Sequence, residues 1–383
     1  MSLPIAILGG GPTGLLTALL LARRQVPSIV FDARPLDEAR RDARLLALSR
    51  GTLQILAPLL RLPAAETGPI REVFISSAGE FGRAVISAAD LGGEALGATM
   101  RYGDLLAALT AAVAAQPETI AVRRPARVNR VLQRPQSVLV QIDDGSEFEA
   151  VLAASAEGMG LASTRPPRQL AVVGEAEVEG VVAGAAIERF TREGPLALLP
   201  LPGRPARPGA RWMSLVWCMP PELAEQRSDW SEERWRTQLQ EMLGPRLARV
   251  LALEVRGRFP LFESARRALS DRRLVYLGNS AQTLHPVAGQ GFNLGVRDAR
   301  DFAERVAGAC ADRVDPLRAI PDYEVSRRLD RRALLALTRS MPGLFAQRFA
   351  PLALARSIGI TALAVSPRLR AELAQLLMFG VRL

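Results

Sequence analysis

Near its start the chain reads PIAILGGGPTGLLTALLLARR, and this stretch restricts the fold more than any other. Ile5 to Leu8 is a short apolar run of the kind that forms a strand buried on both faces. Gly9, Gly11 and Gly14 follow at GxGxxG spacing, and a helix is expected from about Pro12 to Arg24. In such a unit the first glycine permits the tight turn, the second lets a phosphate approach backbone N–H groups, and the third lets helix pack closely on strand. SIVFD, Ser28 to Asp32, is a second apolar strand, and it ends in a carboxylate about 20 residues past the glycines, where a ribose hydroxyl needs an acceptor. The pattern predicts a Rossmann-like unit and an adenine dinucleotide.

Composition narrows the chemistry. All 49 basic residues are arginines, so lysine Schiff bases and a P-loop lysine are excluded. Two cysteines, Cys218 and Cys310, cannot build a metal cluster, and one histidine, His285, excludes multi-histidine zinc sites, so no metal is expected. A hydrolase triad would depend on His285 alone. Chemistry is therefore expected from a cofactor. The net charge of +10 suits an anionic cofactor or membrane face better than nucleic acid, because the arginines are spread out with no stacking aromatics among them. No basic segment precedes Leu3 to Leu8, which points to a cytoplasmic protein, and Leu15 to Ala22 is too short to span a bilayer.

Further along, Arg71 to Ile75 and Arg83 to Ile86 read as strands, and a helix follows Arg101. Asp143-Asp144-Gly145 marks a hairpin, and Pro166 to Trp217 alternates as an antiparallel sheet with one buried face. Trp230 to Leu243 reads as a helix before Gly244-Pro245. The nucleotide domain is thus interrupted and resumed. Its expected pieces are residues 1–70, 99–165 and 266–330, with a substrate sheet over 71–98 and 166–265 and a helical region over 331–383.

GNSAQTLHPVAGQGFNLGVRD, Gly278 to Asp298, follows an apolar strand at Leu274 to Leu277 and leads into a helix from about Gly291. Its glycines let backbone lie against a flat ring, and the helix N-terminus can face negative charge. That arrangement suits the pyrimidine edge of a flavin, where charge develops on reduction. Arg34, Arg40, Arg41 and Arg44 lie on a segment that returns over the nucleotide, where a pyrophosphate needs positive charge, although Arg40 and Arg41 also fit a solvated face.

Together with GGGPTG and DARLLALSRG, this segment resembles the FAD-dependent aromatic monooxygenases, the para-hydroxybenzoate hydroxylase family, and within it the ubiquinone-biosynthesis branch, nearest the 2-polyprenyl-6-methoxyphenol hydroxylases. The resemblance covers nearly the whole chain. It implies an α/β fold in which a Rossmann-like FAD-binding domain is interleaved with an antiparallel β-sheet substrate domain and followed by a C-terminal helical region. It implies that Gly9, Gly11 and Gly14 hold the FAD pyrophosphate and Asp32 the adenosine ribose, with Arg44 near the flavin and Arg101 touching the cofactor. Asn279 would sit beside the ribityl and pyrophosphate portion, Pro286 would flank the ring, and Gly289, Gln290, Gly291, Phe292 and Asn293 would wrap its pyrimidine edge.

The implied reaction takes hydride from NADPH or NADH onto the flavin, adds O2 at C4a, and passes the terminal oxygen of the hydroperoxide to a prenylated phenol. His285 is a candidate for deprotonating or orienting the phenol, but a hydrogen bond within the loop before Pro286 is the favoured reading. The substrate would lie between ring and sheet. Met213, Leu215 and Trp217 alternate along one strand and suit a cavity wall or the core alike, while Phe259 and Pro260 are better placed for the wall. One motif departs from the family: Glu157-Gly158 stands where Asp-Gly is usual, with Leu161 at the serine position, which bears on nicotinamide use. Two other readings stay open, an FAD oxidoreductase of isoprenoids without oxygen insertion and a weakly catalytic member of a complex with other quinone-biosynthesis proteins. The tail from Arg331 to Leu383 carries apolar faces edged by Arg339, Arg348, Arg356 and Arg368, suited to packing on the FAD domain or to peripheral contact with the inner face of the cytoplasmic membrane.

Overall fold

The computed structural model describes residues 3–158, 167–286, 289–346 and 350–381. Strand β1 (Ile5–Leu8), helix α1 (Pro12–Ala22) and strand β2 (Ser28–Phe31) form the βαβ unit. Apart from Thr13, every residue of α1 is buried, which explains a helix with no charged face, and it stops where Arg23 and Arg24 reach solvent. Helix α2 (Leu36–Arg40), strand β3 (Leu45–Ser49), helix α3 (Arg50–Leu56) and strand β4 (Thr67–Ile70) follow. A hairpin of β5 (Glu72–Ser77) and β6 (Arg83–Ser87) crosses to a second sheet before β7 (Gly97–Arg101), α4 (Tyr102–Ala114) and β8 (Ile120–Arg123) return. The meander β9 (Val128–Gln133), β10 (Val138–Ile142) and β11 (Glu147–Ala150) then leads to β12 (Leu152–Ser155).

The second sheet is completed by β13 (Gln169–Glu179), β14 (Ala185–Phe190), β15 (Pro195–Pro200), β16 (Ala210–Met219) and, after helices α5 (Pro221–Gln226) and α6 (Glu232–Leu243), by β17 (Arg249–Leu261). Its order is β17-β13-β16-β15-β14-β5-β6, antiparallel except where β14 lies parallel to β5. Ser231 caps α6 by accepting the Arg234 N–H, and Gly244 ends it. Short strands β18 (Ser264–Ala265), β19 (Ser270–Asp271), β20 (Leu274–Tyr276) and β21 (Gln282–Thr283) bring the chain back. It finishes in α7 (Gln290–Ala311), α8 (Ile320–Ala346), α9 (Ala350–Val365) and α10 (Pro367–Phe379). No helix among the described residues is long and apolar enough to cross a membrane.

The central sheet runs β19-β20-β12-β1-β2-β8, parallel except for β19 at its edge. Leu8 is level with Phe31 and Ser155, Phe31 with Arg123, and Ser155 with Tyr276. The segments after β1, β2, β8, β12 and β20 therefore leave from one edge of the sheet, the carboxyl edge where ligands of such folds bind. The small antiparallel sheet β3-β7-β4 stands between the two larger ones in the chain path. The result is an α/β fold with a Rossmann-like unit, an interleaved, largely antiparallel sheet and a C-terminal helical region, as the sequence leads one to expect.

Candidate functional site

Helix α1 begins at Gly11 with no side chain capping its first N–H groups and no acid in its first turn. Those donors, at the positive end of a buried helix, are open to an anion. Beside them Asp32 receives the Gly10 N–H at 2.8 Å through Oδ2 and the Arg34 N–H at 2.8 Å through Oδ1. Gly9 packs against the backbone of Ala156 and Glu157, so the loop is braced from behind. The structure thus brings Gly9, Gly11, Gly14 and Asp32 together, and places the Arg34 side chain on the exposed rim.

The second glycine segment meets the first. Gly278 and Gly295, on the turn after β20 and on α7, both lie against Thr13 in the first turn of α1. Asn279 is exposed on this turn, while Ser280 is buried, with its Oγ 2.9 Å from the Ser155 hydroxyl and 2.8 Å from the carbonyl of Glu157. Gly158 is the last described residue there; the rest of the departing motif, Leu161 included, lies outside the described residues. Gly289 starts α7 in the left-handed region at φ +58°, and a Cβ there would come within 2.9 Å of the Ala47 Cβ, so backbone conformation and close approach both call for glycine.

Asn293 ties this helix start to β3. Its Nδ2 donates to the carbonyls of Ala47 and Gly289, each at 2.9 Å, and its Oδ1 accepts from the Ser49 N–H at 2.8 Å and the Thr52 hydroxyl at 2.7 Å. The amide is therefore engaged by the protein on both sides, and its work is to hold β3 against α7. Gln290 is buried, Phe292 packs partly on the core, and Gly291 has open space where a Cβ would stand.

Beyond β3 lies a cavity of about 1000 Å³ bounded by Leu45, Arg44, Arg101, Val173, Ser214 and Phe259, among others. Arg44 is held by both oxygens of Asp42 and lies over the Tyr102 ring at 5.1 Å. Arg101 reaches across to Glu175 of β13 at 3.0 Å. Arg204 and Arg256 also bond Glu175, and Arg204 stacks 3.3 Å from the centroid of Trp212. Burial pushes the Glu175 carboxyl up, but the three guanidinium groups outweigh it and hold the group below its ordinary value.

Two expectations need correction. Met213, Leu215 and Trp217 do not face this cavity: they are at most 1% exposed, in a core with Trp235 and Leu239 of α6. Alternation along β16 turns Ser214 to the cavity instead, and the edge-on contact of Trp217 with Trp235, centroids 6.0 Å apart, closes the other face. Phe259 does line the cavity, whereas Pro260, the next residue along β17, is exposed and outside the lining.

His285 is only 3% exposed, with Nε2 2.7 Å from Oε1 of Gln169 at the start of β13. Burial lowers its pKa to about 4, so the imidazole is neutral at neutral pH and has no proton to release near pH 7. This favours the loop-bonding role over that of a proton carrier. In the unfolded chain the ring titrates near its ordinary value, so the stability that goes with the neutral buried ring is present above about pH 6.5 and lost as pH falls toward the folded value of about 4. His285→Gln, which retains a polar group in reach of Gln169, is expected to remove up to about 3 kcal/mol of this pH dependence. Chemical denaturation of both proteins at pH 7.5 and pH 4.5 checks it: parallel slopes would show that His285 is not buried neutral.

Residues 2–329 match the family described as FAD binding domain. The chain belongs to this family. This flavoprotein is 30% identical to the ubiquinone hydroxylase UbiL of Rhodospirillum rubrum over 94% of its own length and 85% of that protein's. It is 27% identical to the 3-demethoxyubiquinol 3-hydroxylase of Escherichia coli over 77% of each chain. Its fold also matches the Pseudomonas aeruginosa protein PqsL, solved with 2-aminobenzoylacetate, at a TM-score of 0.77 and 18% identity over 94% of this chain and 100% of that one. It is thus an FAD-dependent monooxygenase of the para-hydroxybenzoate hydroxylase type, related to the ubiquinone-biosynthesis hydroxylases.

The flavoprotein has site residues that sequence reasoning missed. Arg124, just past β8, has a side chain only 8% exposed, and its Nη2 lies 2.8 Å from Oδ2 of Asp32 and 2.6 Å from the carbonyl of Gly10. It fixes the carboxylate at the glycine loop. The one signal was its position at the end of an apolar strand, and that signifies only once β8 is known to pair with β2.

Proposed function

We propose that this monooxygenase hydroxylates the ring of a prenylated phenol in ubiquinone biosynthesis, with NADPH or NADH as transient reductant and O2 as the second substrate. The observation that carries the reading is the convergence of two distant glycine segments on the first turn of α1, with Asp32 at one end and β3, backed by α7, opening onto the cavity at the other. The residues fit FAD: the N–H groups before α1 suit its pyrophosphate, Asp32 its ribose, Asn279 its ribityl portion, and the Gly289 to Phe292 backbone the edge of its ring. Pro286 flanks that edge. Arg44, Arg101 and Glu157 complete the surroundings. Bound FAD supplies hydride acceptance and oxygen activation.

The chain's own part is placement. Asn293 holds β3 against α7, the Gly9 to Gly14 loop anchors the cofactor at its far end, and Leu45, Val173 and Phe259 give the cavity apolar wall for a phenol ring. His285 holds its loop to β13 as a neutral hydrogen-bonding group. Residues 1–70, 99–165 and 266–330 carry the cofactor in this reading, and 71–98 with 166–265 the substrate wall.

The test is anaerobic reduction of the FAD-loaded protein by NADPH or NADH with a short-tailed 2-prenyl-6-methoxyphenol, followed by oxygen and product mass. A phenol heavier by one oxygen atom is expected. A product that has gained hydrogen alone supports an isoprenoid oxidoreductase, and flavin turnover with the phenol unchanged removes the proposed substrate class.

A further inference from the structure

The cavity beyond β3 has a neighbour. A second cavity, of about 410 Å³, lies beside the loop over residues 201–209 that joins β15 to β16. Pro69, Val182, Ala183, Pro200 and Trp212 give it a mainly apolar lining, and Thr67, with the exposed Arg71 and Arg211, supplies its polar side. Val182 is 54% exposed, apolar surface that a bound chain would cover. Leu201, Pro202 and Arg204 border both cavities.

Arg204 stands where the two meet. Its guanidinium bonds Glu175, in the lining of the first cavity, and lies 3.3 Å from the centroid of Trp212, in the lining of the second. It also bonds Glu254, at 3.1 Å through Nη1. The side chains of Arg204, Glu254 and Glu175 are 25%, 30% and 10% exposed, and ion pairs that water reaches are weak. The acids keep other partners without Arg204: Glu175 has Arg101 and Arg256, and Glu254 has Arg256. The loop keeps an anchor too, because the Arg207 N–H donates to Glu177 at 2.7 Å. A guanidinium held in this way can leave at modest cost, and its departure uncovers one face of the Trp212 indole.

We propose that Arg204 gates the passage between the two cavities, and that the second cavity takes the apolar chain of the substrate, which replaces the guanidinium on the face of Trp212. Size argues for it. A cavity of about 1000 Å³ accommodates one drug-sized body, and a flavin edge with a phenol ring claims that space, so a chain of several isoprene units needs room elsewhere. Chemistry argues for it as well. An indole face accepts a cation or an apolar group, and burying several carbons outweighs the part-exposed ion pairs that opening gives up. This assignment rests on the proposed reading that the substrate carries a prenyl chain, and adds to it where the chain goes and which residue admits it.

Equilibrium dialysis of the FAD-loaded full chain against farnesol, a probe with an isoprenoid chain and no ring, tests the site without turnover. Arg204→Ala is expected to bind farnesol about tenfold tighter than the parent, since the passage is then open and the indole bare. Val182→Glu, at an exposed position that borders the second cavity and not the first, is expected to weaken binding about tenfold while flavin absorbance stays that of the parent. Parental affinity in either variant, or no binding by any of the three proteins, overturns the proposal. In turnover, Arg204→Ala should raise kcat/KM for a long-chain phenol relative to a short-tailed one by about tenfold. A phenol that gains no oxygen whatever its chain removes the proposed reaction, and the dialysis then decides the site by itself.

Discussion

Gly14→Ala is expected to cost the protein its FAD. A Cβ at this position would lie 1.8 Å from the carbonyl oxygen of Gly9, 3.0 Å from its carbon and 3.3 Å from the Ile7 side chain. The obstacle is backbone, so no rotamer relieves it. Gly9 has little room to retreat, because even a Cβ there would come within 2.9 Å of the Ala156 and Glu157 backbone. Helix α1, buried against the sheet, must move instead, and its leading N–H groups move with it. Overpacking of this kind costs roughly 1–3 kcal/mol or more, and at the upper end FAD affinity falls by about 100-fold. Quenching of FAD fluorescence by the apoprotein measures it, with circular dichroism as the check on folding. Gly291→Ala is the informative companion, since a Cβ there meets no protein atom within 4 Å. Loss of FAD by that variant would report contact with the ring, and FAD binding by Gly14→Ala at parental affinity would show that the glycine loop is not the cofactor cradle.

The first unit was legible because all its information is local. An apolar run, three glycines at fixed spacing and an acid at the end of the next strand each act within a few residues, and the structure joins them by short bonds such as Gly10 N–H to Asp32. The segment from Gly278 was legible for a related reason, since glycine density marks places where backbone must approach something closely. What could not be read depends on pairing across the chain. Asn293 and Ser49 are 244 residues apart, and nothing in either neighbourhood names the other. Met213, Leu215 and Trp217 were ambiguous because alternation says that one face is buried without saying which. The choice was made by α6, whose Trp235, Leu239 and Leu243 cover that face and leave the other to Ser214.

The least legible feature is the charge cluster of α7 and α8. GVRDARDFAER and YEVSRRLDRR are dense in arginine and acid, a composition that belongs to solvated helix faces far more often than to an interior. Asp298 and Asp301 lie one turn apart on α7, and Arg327 and Asp330 one turn apart on α8, so each helix presents a polar stripe. The two stripes face each other in the interior. Asp298 also accepts the Gly278 N–H at 3.1 Å and the Gln282 side chain at 2.8 Å, and so connects the cluster to the turn proposed to hold the cofactor.

Arg327→Met should therefore be among the most damaging substitutions outside the cavity. The guanidinium is 2% exposed and donates to three acids, Asp298 at 2.7 Å, Asp301 at 3.1 Å and Asp330 at 2.6 Å. Among the described residues Arg297 hydrogen-bonds Asp330 alone, at 2.8 Å. Removing Arg327 leaves three carboxylates, all at most 9% exposed, with Arg297 still on Asp330, Arg300 on Asp301 and no ion-pair partner for Asp298 among the described residues. Breaking a buried pair in this way costs about 3–5 kcal/mol, a large part of a typical total of roughly 5–15 kcal/mol. Lysine cannot restore the fork that reaches three acids, so Arg327→Lys is expected to recover little. The pH dependence separates this account from simple loss of packing. In the parent, burial pushes the Asp330 carboxyl up, but Arg297 and Arg327 more than offset it and hold its pKa below the ordinary value. The stability this confers is present above that ordinary value and lost as pH falls through the depressed one. In the variant Arg297 alone is left to offset the burial of Asp330, so its carboxyl stands higher than in the parent, and the deficit is full above that raised value and shrinks as pH falls through it. The deficit relative to the parent should accordingly shrink between pH 7 and pH 5, read from denaturant midpoints at each pH. A deficit that stays constant over that interval would mean that the cluster acts by shape and not by charge.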